Sequence, residues 1–178
     1  NGAGVPQNKQ KAAALYQTAA DKGHVKATFN LGACYASGNG VPKNEQKAAA
    51  LYQTAADKGN LSATYALGTC YAYGNGVPKN EQNAAAHYRT AANKGNLDAT
   101  YCLGTCYESG RGVQQDRLTA LRLYEQAAGQ GNAHAIMRLS DLSLSGDFVS
   151  VGYPKDLHRA RKLQRKLREK YGDLSEEN

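Results

Sequence analysis

The chain has 178 residues, which is enough to bury a hydrophobic core without help from disulfides. Apolar residues make up 41% of it and charged residues 21%, so a chain that is disordered throughout is excluded. No apolar run approaches the roughly 18 residues that a membrane-spanning helix needs. The 19 glycines, the 12 tyrosines and the absence of tryptophan are unusual for an ordinary globular domain, and they point to an internal repeat.

The net charge of +7 is concentrated near the end of the chain. Residues 155–170 carry eight Lys or Arg against Asp156 and Glu169, so the rest of the chain is nearly neutral. The polar and acidic residues 173–178 are expected to be disordered. Because the chain begins with Asn1 rather than Met, we interpret it as a fragment or a processed product, with room for further repeats or a targeting signal upstream.

A shift of 36 residues aligns the chain with itself. Residues 38–73 and 74–109 match at 28 of 36 positions, whereas 74–109 and 110–145 match at only 12. Sixteen of the 19 glycines fall at four recurring positions. A fixed period of this length predicts a solenoid, in which each repeat buries its apolar face against its neighbours.

Each repeat is predicted to contain two short helices. The second helix has an amphipathic stripe, as at Ala48, Leu51, Tyr52 and Ala55. Its start is marked in every repeat by a residue suited to N-capping: Asn8, Asn44, Asn80, Asp116 and Asp156. Its end is marked by a glycine suited to the left-handed conformation that closes a helix: Gly23, Gly59, Gly95 and Gly131.

Three further glycines, Gly32, Gly68 and Gly104, lie in the middle of the first helix of successive repeats. Because glycine inside a helix costs about 1 kcal/mol relative to alanine, its recurrence there predicts a close contact between helices. Seven tyrosines at two other recurring positions are expected in the core: Tyr16, Tyr52, Tyr88, Tyr124, Tyr35, Tyr71 and Tyr107.

The recurring pattern A-x-x-x-L-G-x-x-Y-x-x-G-x-G-V, followed by A-x-x-x-Y-x-x-A-A-x-x-G-N, resembles the Sel-1-like repeat (SLR) family, a branch of the tetratricopeptide-type helical hairpins. The resemblance covers about residues 1–171. It implies an all-α fold, a right-handed α-solenoid of antiparallel helix pairs with a 36-residue period. The last repeat departs from the pattern, as terminal repeats of solenoids usually do.

The predicted organisation is a single solenoid over residues 1–172, followed by the disordered tail 173–178. Its parts are the second helix of a truncated first repeat, three full repeats and a divergent last repeat with a basic capping helix: 1–23, 24–59, 60–95, 96–131 and 132–172. The capping helix is expected to pack through one apolar side: Leu157, Ala160, Leu163 and Leu167. The opposite end should need a partner helix from upstream, over Ala12, Leu15, Tyr16 and Ala19.

The sequence contains no H-E-x-x-H, G-x-S-x-G, S-x-x-K or G-x-x-x-x-G-K-[ST] string. We therefore predict that the protein is not an enzyme and uses no cofactor, no metal and no small-molecule substrate. The four histidines follow no common register, and we interpret them as surface or incidental residues.

The cysteines admit three readings. Cys34, Cys70 and Cys106 share one repeat position, and neighbouring helices pack about 8–10 Å apart, which exceeds the reach of a disulfide. Cys102 and Cys106 stand four residues apart but have no partner at metal-ligand spacing. Buried packing is favoured over a metal site or redox chemistry, and with it a reducing, cytosolic environment, with a secreted or periplasmic one as the alternative if a signal was removed.

Positions that differ between matching repeats are candidates for selectivity. In the tetratricopeptide superfamily the first helices line the concave face, so the resemblance implies a ladder of Phe29, Tyr65, Tyr101 and Met137 along a groove. The candidate partner-binding residues are Lys26, Phe29, Ala33, Ser62, Tyr65, Thr69, Tyr73, Asp98, Tyr101, Thr105, Glu108, Met137 and Asp141. The alternative is that the ladder only packs adjacent helices together.

The predicted function is that of a protein–protein interaction module, a scaffold or adaptor that holds an extended or helical segment of another protein in this groove. The alternative is electrostatic adhesion to an acidic protein, a lipid or a nucleic acid through Arg161, Arg165 and Arg168, with nucleic acid and membrane the less expected partners. A solvated capping face is the simpler interpretation of the same helix.

Overall fold

The structure is a computed structural model that describes residues 4–172. This part of the chain is entirely helical, with nine α-helices and no strand. The helices are α1 (Gly4–Asp21), α2 (Val25–Ser37), α3 (Glu45–Asp57), α4 (Leu61–Tyr73), α5 (Glu81–Asn93), α6 (Leu97–Ser109), α7 (Arg117–Gly129), α8 (Ala133–Ser145) and α9 (Leu157–Tyr171), with a short 3₁₀ helix at Val149–Val151. The tail predicted to be disordered, residues 173–178, lies outside the described residues.

The contacts divide the chain into two compact units, Asn1–Lys94 (the N-terminal unit) and Gly95–Asn178 (the C-terminal unit). In the N-terminal unit, α2 packs on α3 and α4 on α5, and the shorter turns bring α1 against α2 and α3 against α4. In the C-terminal unit, α6 packs on α7, α7 on α8 and α8 on α9. None of the helices in residues 4–172 combines the length and apolar composition that a membrane span requires.

The helix starts follow the capping pattern of the sequence. The Asn44 side chain accepts a hydrogen bond from the Lys47 amide (2.9 Å), and the Asn60 side chain accepts one from the Ala63 amide (2.8 Å). The same bond recurs at the other capping residues: Asn80, Asn96, Asp116, Asn132 and Asp156. The glycines predicted to end the second helices have the expected left-handed backbone, with φ between 84° and 91° at Gly59, Gly95 and Gly131.

The predicted cap at Asn8 is wrong, because α1 already begins at Gly4. In later repeats the capping residue is held outside its helix by a backbone bond to the preceding helix, as when the Asn44 amide donates to the Tyr35 carbonyl (2.9 Å). No described helix precedes α1 to hold Asn8 in the same way. The helix therefore continues through Pro6, which the first turn of a helix tolerates.

The mid-helix glycines make the predicted close contacts. A Cβ added at Gly32 would lie 2.8 Å from the Tyr52 ring, and one at Gly104 would lie 2.6 Å from the Tyr124 ring. In the last repeat the buried Ser140 stands at the glycine position, and the exposed Gln164, eight residues after the capping Asp156, stands at the tyrosine position.

The recurring tyrosines are only partly core. Tyr52, Tyr88 and Tyr124 are buried, at 7%, 4% and 0% exposure. The other four are half-buried: Tyr16, Tyr35, Tyr71 and Tyr107. Tyr35, Tyr71 and Tyr107 pack against the buried clusters from their edge, and the Lys47 ammonium lies 5.3 Å from the centroid of the Tyr35 ring.

The longer turn after α8 is folded into the C-terminal core. Phe148 and Tyr153 are each 1% exposed, and the Tyr153 hydroxyl donates a hydrogen bond to the Leu139 carbonyl (3.1 Å). The apolar side of α9 packs through Ala160 and Leu167 as predicted.

The first and the last helix each carry an exposed leucine. Leu157, which was expected to pack with the apolar side of α9, is 52% exposed because it lies in the first turn of that helix. At the other end, Leu15 on α1 is 69% exposed, and the upstream partner helix expected for its face remains a prediction.

Candidate functional site

The predicted ladder consists of half-buried rings. Phe29, Tyr65 and Tyr101 lie on α2, α4 and α6, and Met137 on α8 is 44% exposed. Each ring packs against the buried tyrosine of the following helix, with centroid distances of 5.7 Å for Phe29–Tyr52, 5.9 Å for Tyr65–Tyr88 and 5.7 Å for Tyr101–Tyr124. The rings therefore have a packing contact and an exposed edge at the same time.

The remaining predicted groove residues differ in exposure. Five are exposed: Lys26, Ser62, Tyr73, Asp98 and Asp141. Four are half-buried: Ala33, Thr69, Thr105 and Glu108. Several of them already have polar partners; for example, Asp98 accepts a hydrogen bond from the Asn132 side chain (2.7 Å) and Thr105 donates one to the Cys102 carbonyl (2.7 Å).

A cleft of about 300 Å³ opens between α2, α3 and α4 of the N-terminal unit. We call it the N-terminal cleft; its lining residues are Ala36, Lys43, Glu45, Ala48, Tyr52, Tyr65, Ala66, Thr69, Cys70 and Asn75. Of the residues predicted from the sequence, the structure brings Tyr65 and Thr69 together here. Five others from the same unit do not line it: Lys26, Phe29, Ala33, Ser62 and Tyr73.

The floor of the N-terminal cleft is apolar and uncharged. Ala48, Tyr52 and Cys70 are 2%, 7% and 7% exposed. Burial raises the pKa of Tyr52 to about 12, and burial together with the nearby Glu45 carboxylate raises the pKa of the Cys70 thiol, so both groups are neutral near pH 7. At the rim, the Lys43 ammonium pairs with the Glu45 carboxylate at 2.8 Å. This arrangement suits an apolar group whose surroundings are polar.

The equivalent place in the C-terminal unit, 72 residues further along the chain, is filled differently. Glu108 stands where the cleft has Ala36, and Arg138 stands where it has Ala66. These two side chains form an ion pair that joins α6 to α8, and we call it the Glu108–Arg138 pair. The Tyr124 hydroxyl also donates a hydrogen bond to Glu108 (2.6 Å).

The electrostatics of the Glu108–Arg138 pair are favourable for both ions. Burial alone would raise the pKa of the Glu108 carboxyl, but the hydrogen bonds from Arg138 and Tyr124 outweigh it and hold that pKa below its usual range. The hydrogen bond to Glu108 in turn raises the pKa of Arg138. Sequence analysis treated Glu108 as a groove residue and missed this pairing.

A second candidate surface lies on α9. Its solvent-facing side carries His158, Arg161, Lys162, Arg165 and Arg168, which line a shallow depression that we call the basic face. The three arginines predicted as a basic patch are therefore exposed on one side of a single helix.

The other basic residues of α9 are engaged with the neighbouring helices. Arg159 pairs with Glu125 (3.1 Å) and lies 4.2 Å from the Tyr153 ring centroid. The Lys166 ammonium donates to the Ala128 carbonyl (3.3 Å) and Lys170 to the Gly131 carbonyl (3.4 Å).

Metal and thiol chemistry find no support in the described part of the chain. No group of three or more His, Cys, Asp or Glu side chains in residues 4–172 could hold a metal ion. The four cysteines are not joined by disulfides, and Cys70 and Cys106 are buried. One histidine departs from the surface reading, because His87 is half-buried and stacks on Tyr71 at 5.5 Å, and burial lowers its pKa.

Helix pairs that repeat with the same caps, glycines and tyrosine contacts define a helical-repeat protein. The chain belongs to the Sel1 repeat family, whose description is "Sel1 repeat" and whose model matches residues 1–24, 25–60, 61–96, 97–132 and 133–166. The family resemblance and the α-solenoid fold class predicted from the sequence are confirmed. Sel1 repeat proteins are generally protein-interaction scaffolds of a non-catalytic type.

Solved structures agree with this assignment. A protective antigen of uropathogenic Escherichia coli with an SLR fold is 32% identical, with a TM-score of 0.78 over 88% of this chain and 33% of that one. A Sel1 repeat protein from Oxalobacter formigenes is also 32% identical, with a TM-score of 0.77 over 90% of this chain and 64% of that one. An immunity protein from Pseudomonas aeruginosa is 25% identical, with a TM-score of 0.51 over 88% of this chain and 72% of that one. This chain therefore spans a third of the E. coli protein and under two thirds of the Oxalobacter protein. A search of curated protein sequences finds no match.

Proposed function

We propose that this protein is a scaffold that captures a segment of another protein along the groove predicted for its first helices, and that the N-terminal cleft receives the anchoring side chain. The observation that carries the proposal is the cleft of about 300 Å³ with an apolar floor beside the half-buried ring of Tyr65. That volume is at the lower end of the range for ligand pockets, about 300–1,000 Å³.

The lining of the cleft favours an apolar anchor. Ala36, Ala48 and Ala66 offer only methyl groups, and the neutral Tyr52 ring and Cys70 thiol add no charge. Binding energy in protein interfaces is concentrated in a few side chains that fill such desolvated pockets. We therefore expect a leucine, methionine or phenylalanine of the partner at this place.

The rim supplies selectivity. Lys43 and Glu45 are partly exposed, at 61% and 38%, and can contact polar groups on either side of an inserted residue. The exposed groove candidates nearest in sequence, Ser62 and Tyr73, extend this contact surface along α4. The segment we expect is thus an apolar residue flanked by polar ones, in either an extended or a helical conformation.

The test closes the cleft with side chains that the protein already uses elsewhere. In the double variant Ala36→Glu/Ala66→Arg, the ion pair of the C-terminal unit is transplanted to the equivalent positions of the N-terminal unit. The probes are N-acetyl-leucinamide and N-acetyl-phenylalaninamide, followed by amide chemical shifts of the isotope-labelled protein. We expect the shifts of Tyr65, Thr69 and Cys70 to respond in the wild type and to become insensitive in the double variant.

Two controls make this experiment decisive. Glu108→Ala/Arg138→Ala removes the original pair and should leave probe binding at the N-terminal cleft unchanged. Ala66→Met fills the cleft without adding a charge and should also abolish binding. It provides the test if the double variant folds poorly. Probe binding that persists in both cleft-filling variants, or a wild type whose cleft residues do not respond, would contradict the proposal.

A further inference from the structure

The basic face of α9 is charged beyond what packing requires. The helix carries seven Lys or Arg against the single acidic residue Glu169. Arg159, Lys166 and Lys170 already hold α9 against α7 and against the turn after α7. Packing therefore explains these three positive charges. The other Lys and Arg side chains of α9 are not used to pack the helix.

These remaining cations are available for binding. Within residues 4–172, the side chains of Arg161, Lys162 and Arg168 make no hydrogen bond or ion pair, and each is exposed. Arg165 is paired with Glu169 at 3.6 Å, and both side chains are 69% exposed, so this pair is easily exchanged for another partner. From Arg161 to Arg168 the charges extend over about 10 Å along the helix.

We propose that the basic face of α9 docks an acidic segment of another protein, independently of the N-terminal cleft. Guanidinium groups bind carboxylates through two parallel hydrogen bonds, which makes a row of arginines a specific receptor for Glu and Asp side chains. Charge complementarity is the attraction, because the face presents four Lys or Arg with only Glu169 among them.

The surroundings of the basic face disfavour other acidic partners. The apolar side of α9 is buried through Ala160 and Leu167, and the exposed Leu157 in its first turn is too little apolar surface to insert into a bilayer. No Tyr, Phe or Trp lies between the basic residues on this face, so it offers no aromatic platform on which single-stranded bases could stack. The rest of the chain is nearly neutral and would add little to the binding of a phosphate backbone.

The experiment measures binding of a fluorescent glutamate-rich peptide, with its glutamine counterpart as the uncharged reference, at low and at about 0.15 M salt. The variant Arg161→Gln/Arg165→Gln/Arg168→Gln should bind the peptide about tenfold more weakly, since it loses three exposed charge pairs. Glu169→Gln should strengthen binding, because it frees Arg165. Circular dichroism melts establish that the variants fold.

The matched control removes the same number of charges elsewhere. Lys22→Gln/Lys58→Gln/Lys94→Gln changes three exposed lysines at one recurring position and should bind the peptide like the wild type. The proposal is overturned if this control weakens binding as much as the arginine variant, or if the wild type does not bind the peptide at low salt. Tighter binding to phosphatidylserine vesicles or to an oligonucleotide than to the peptide would also overturn it, in favour of a membrane or a nucleic acid.

Discussion

The N-terminal cleft and the Glu108–Arg138 pair occupy equivalent places in the repeat, but of the ten residues that line the cleft only Ala48 and Tyr52 are retained 72 residues further on, as Ala120 and Tyr124. With alanine at 36 and 66, the space between the first helices α2 and α4 stays open. With Glu108 and Arg138, the first helices α6 and α8 are joined by an ion pair. The buried tyrosine beneath is retained in both, as Tyr52 and as Tyr124.

This difference distinguishes the packing contacts that recur in each repeat from the surface positions that vary between repeats. The contact of tyrosine with glycine is made whether or not the neighbouring position carries a side chain, so drift at 36 and 66 does not disturb it. What changes is how far the side chain of the tyrosine can move. Tyr124 is fully buried and hydrogen-bonded to Glu108, whereas the Tyr52 ring borders an open cleft.

The largest effect we expect comes from adding a methyl group under each tyrosine. Gly104→Ala should lower the free energy of unfolding by about 1–3 kcal/mol, because Tyr124 cannot move away from a Cβ at 2.6 Å. Gly32→Ala should lower it by less, since Tyr52 can turn toward the cleft, whereas the gain of about 1 kcal/mol in helix propensity is the same for both variants. Urea unfolding measures both.

A matched control for these two variants is Gly129→Ala in α7, where an added Cβ meets nothing within 4 Å. It should be neutral or stabilising. Equal losses for Gly32→Ala and Gly104→Ala would show that the cleft gives the Tyr52 ring no freedom.

The second prediction concerns the pair itself. Glu108→Ala should lower the free energy of unfolding by about 1–2 kcal/mol, because it leaves the Tyr124 hydroxyl and the partly buried Arg138 without their partner. Lys43→Ala breaks the exposed Lys43–Glu45 pair of the cleft rim and should change it by less than about 0.5 kcal/mol.

A double-mutant cycle tests whether the pair acts as a unit. Glu108→Ala/Arg138→Ala should be less destabilising than the sum of the two single variants, since it removes both ions together. Strict additivity would mean that the contact between them contributes nothing.

The helix caps and the helix–helix contacts could be predicted because the residues that make them recur in several repeats. A capping Asn or Asp and a mid-helix glycine recur at the same offsets, so each structural reading had three or more independent copies. The exceptions lie where the repetition fails. No described helix precedes α1 to hold Asn8 outside it, and Phe148 lies in an insertion after Gly146 that has no counterpart in other repeats.

The candidate site was less predictable for a different reason. A cleft depends on the distance between helices, and Ala36 and Ala66 are unremarkable helix residues in the sequence. A usable signal was nevertheless present. Opposite charges replace the two alanines in consecutive repeats, as Glu108 and Arg138, and such a paired change indicates that the two positions face each other.

The third prediction separates the two regions by pH. The pKa of His87 in the N-terminal unit is lowered by burial, so its contribution is present above the unfolded value of about 6.5 and is lost as the pH falls below it. The pKa of Glu108 is also lowered, so the contribution of its pair persists until the pH falls below the unfolded carboxyl value of about 4.3.

Urea unfolding at neutral pH and at about pH 5 tests this order. His87→Phe keeps the stacking on Tyr71 and removes the titration, so it should lose less stability than the wild type over this interval. Glu108→Gln should show the wild-type loss there and differ only in more acidic solution. A wild-type loss that His87→Phe does not reduce would assign the effect to another group.

The smallest effect we expect is on the reactivity of one thiol, and it reports on the cleft without any partner. Cys70 lies in the floor of the N-terminal cleft at 7% exposure, and its raised pKa keeps it protonated, so it should react slowly with a small alkylating reagent that enters through the cleft. Ala36→Glu/Ala66→Arg should slow this reaction severalfold. Cys106, which is 5% exposed in the C-terminal unit, should keep its rate and serves as the internal reference. In denaturant without reductant all four thiols should react, which checks that none is oxidised. If Cys70 reacts equally fast in both proteins, the transplanted side chains do not close the cleft, and the other residues that differ between the two regions fill this place in the C-terminal unit.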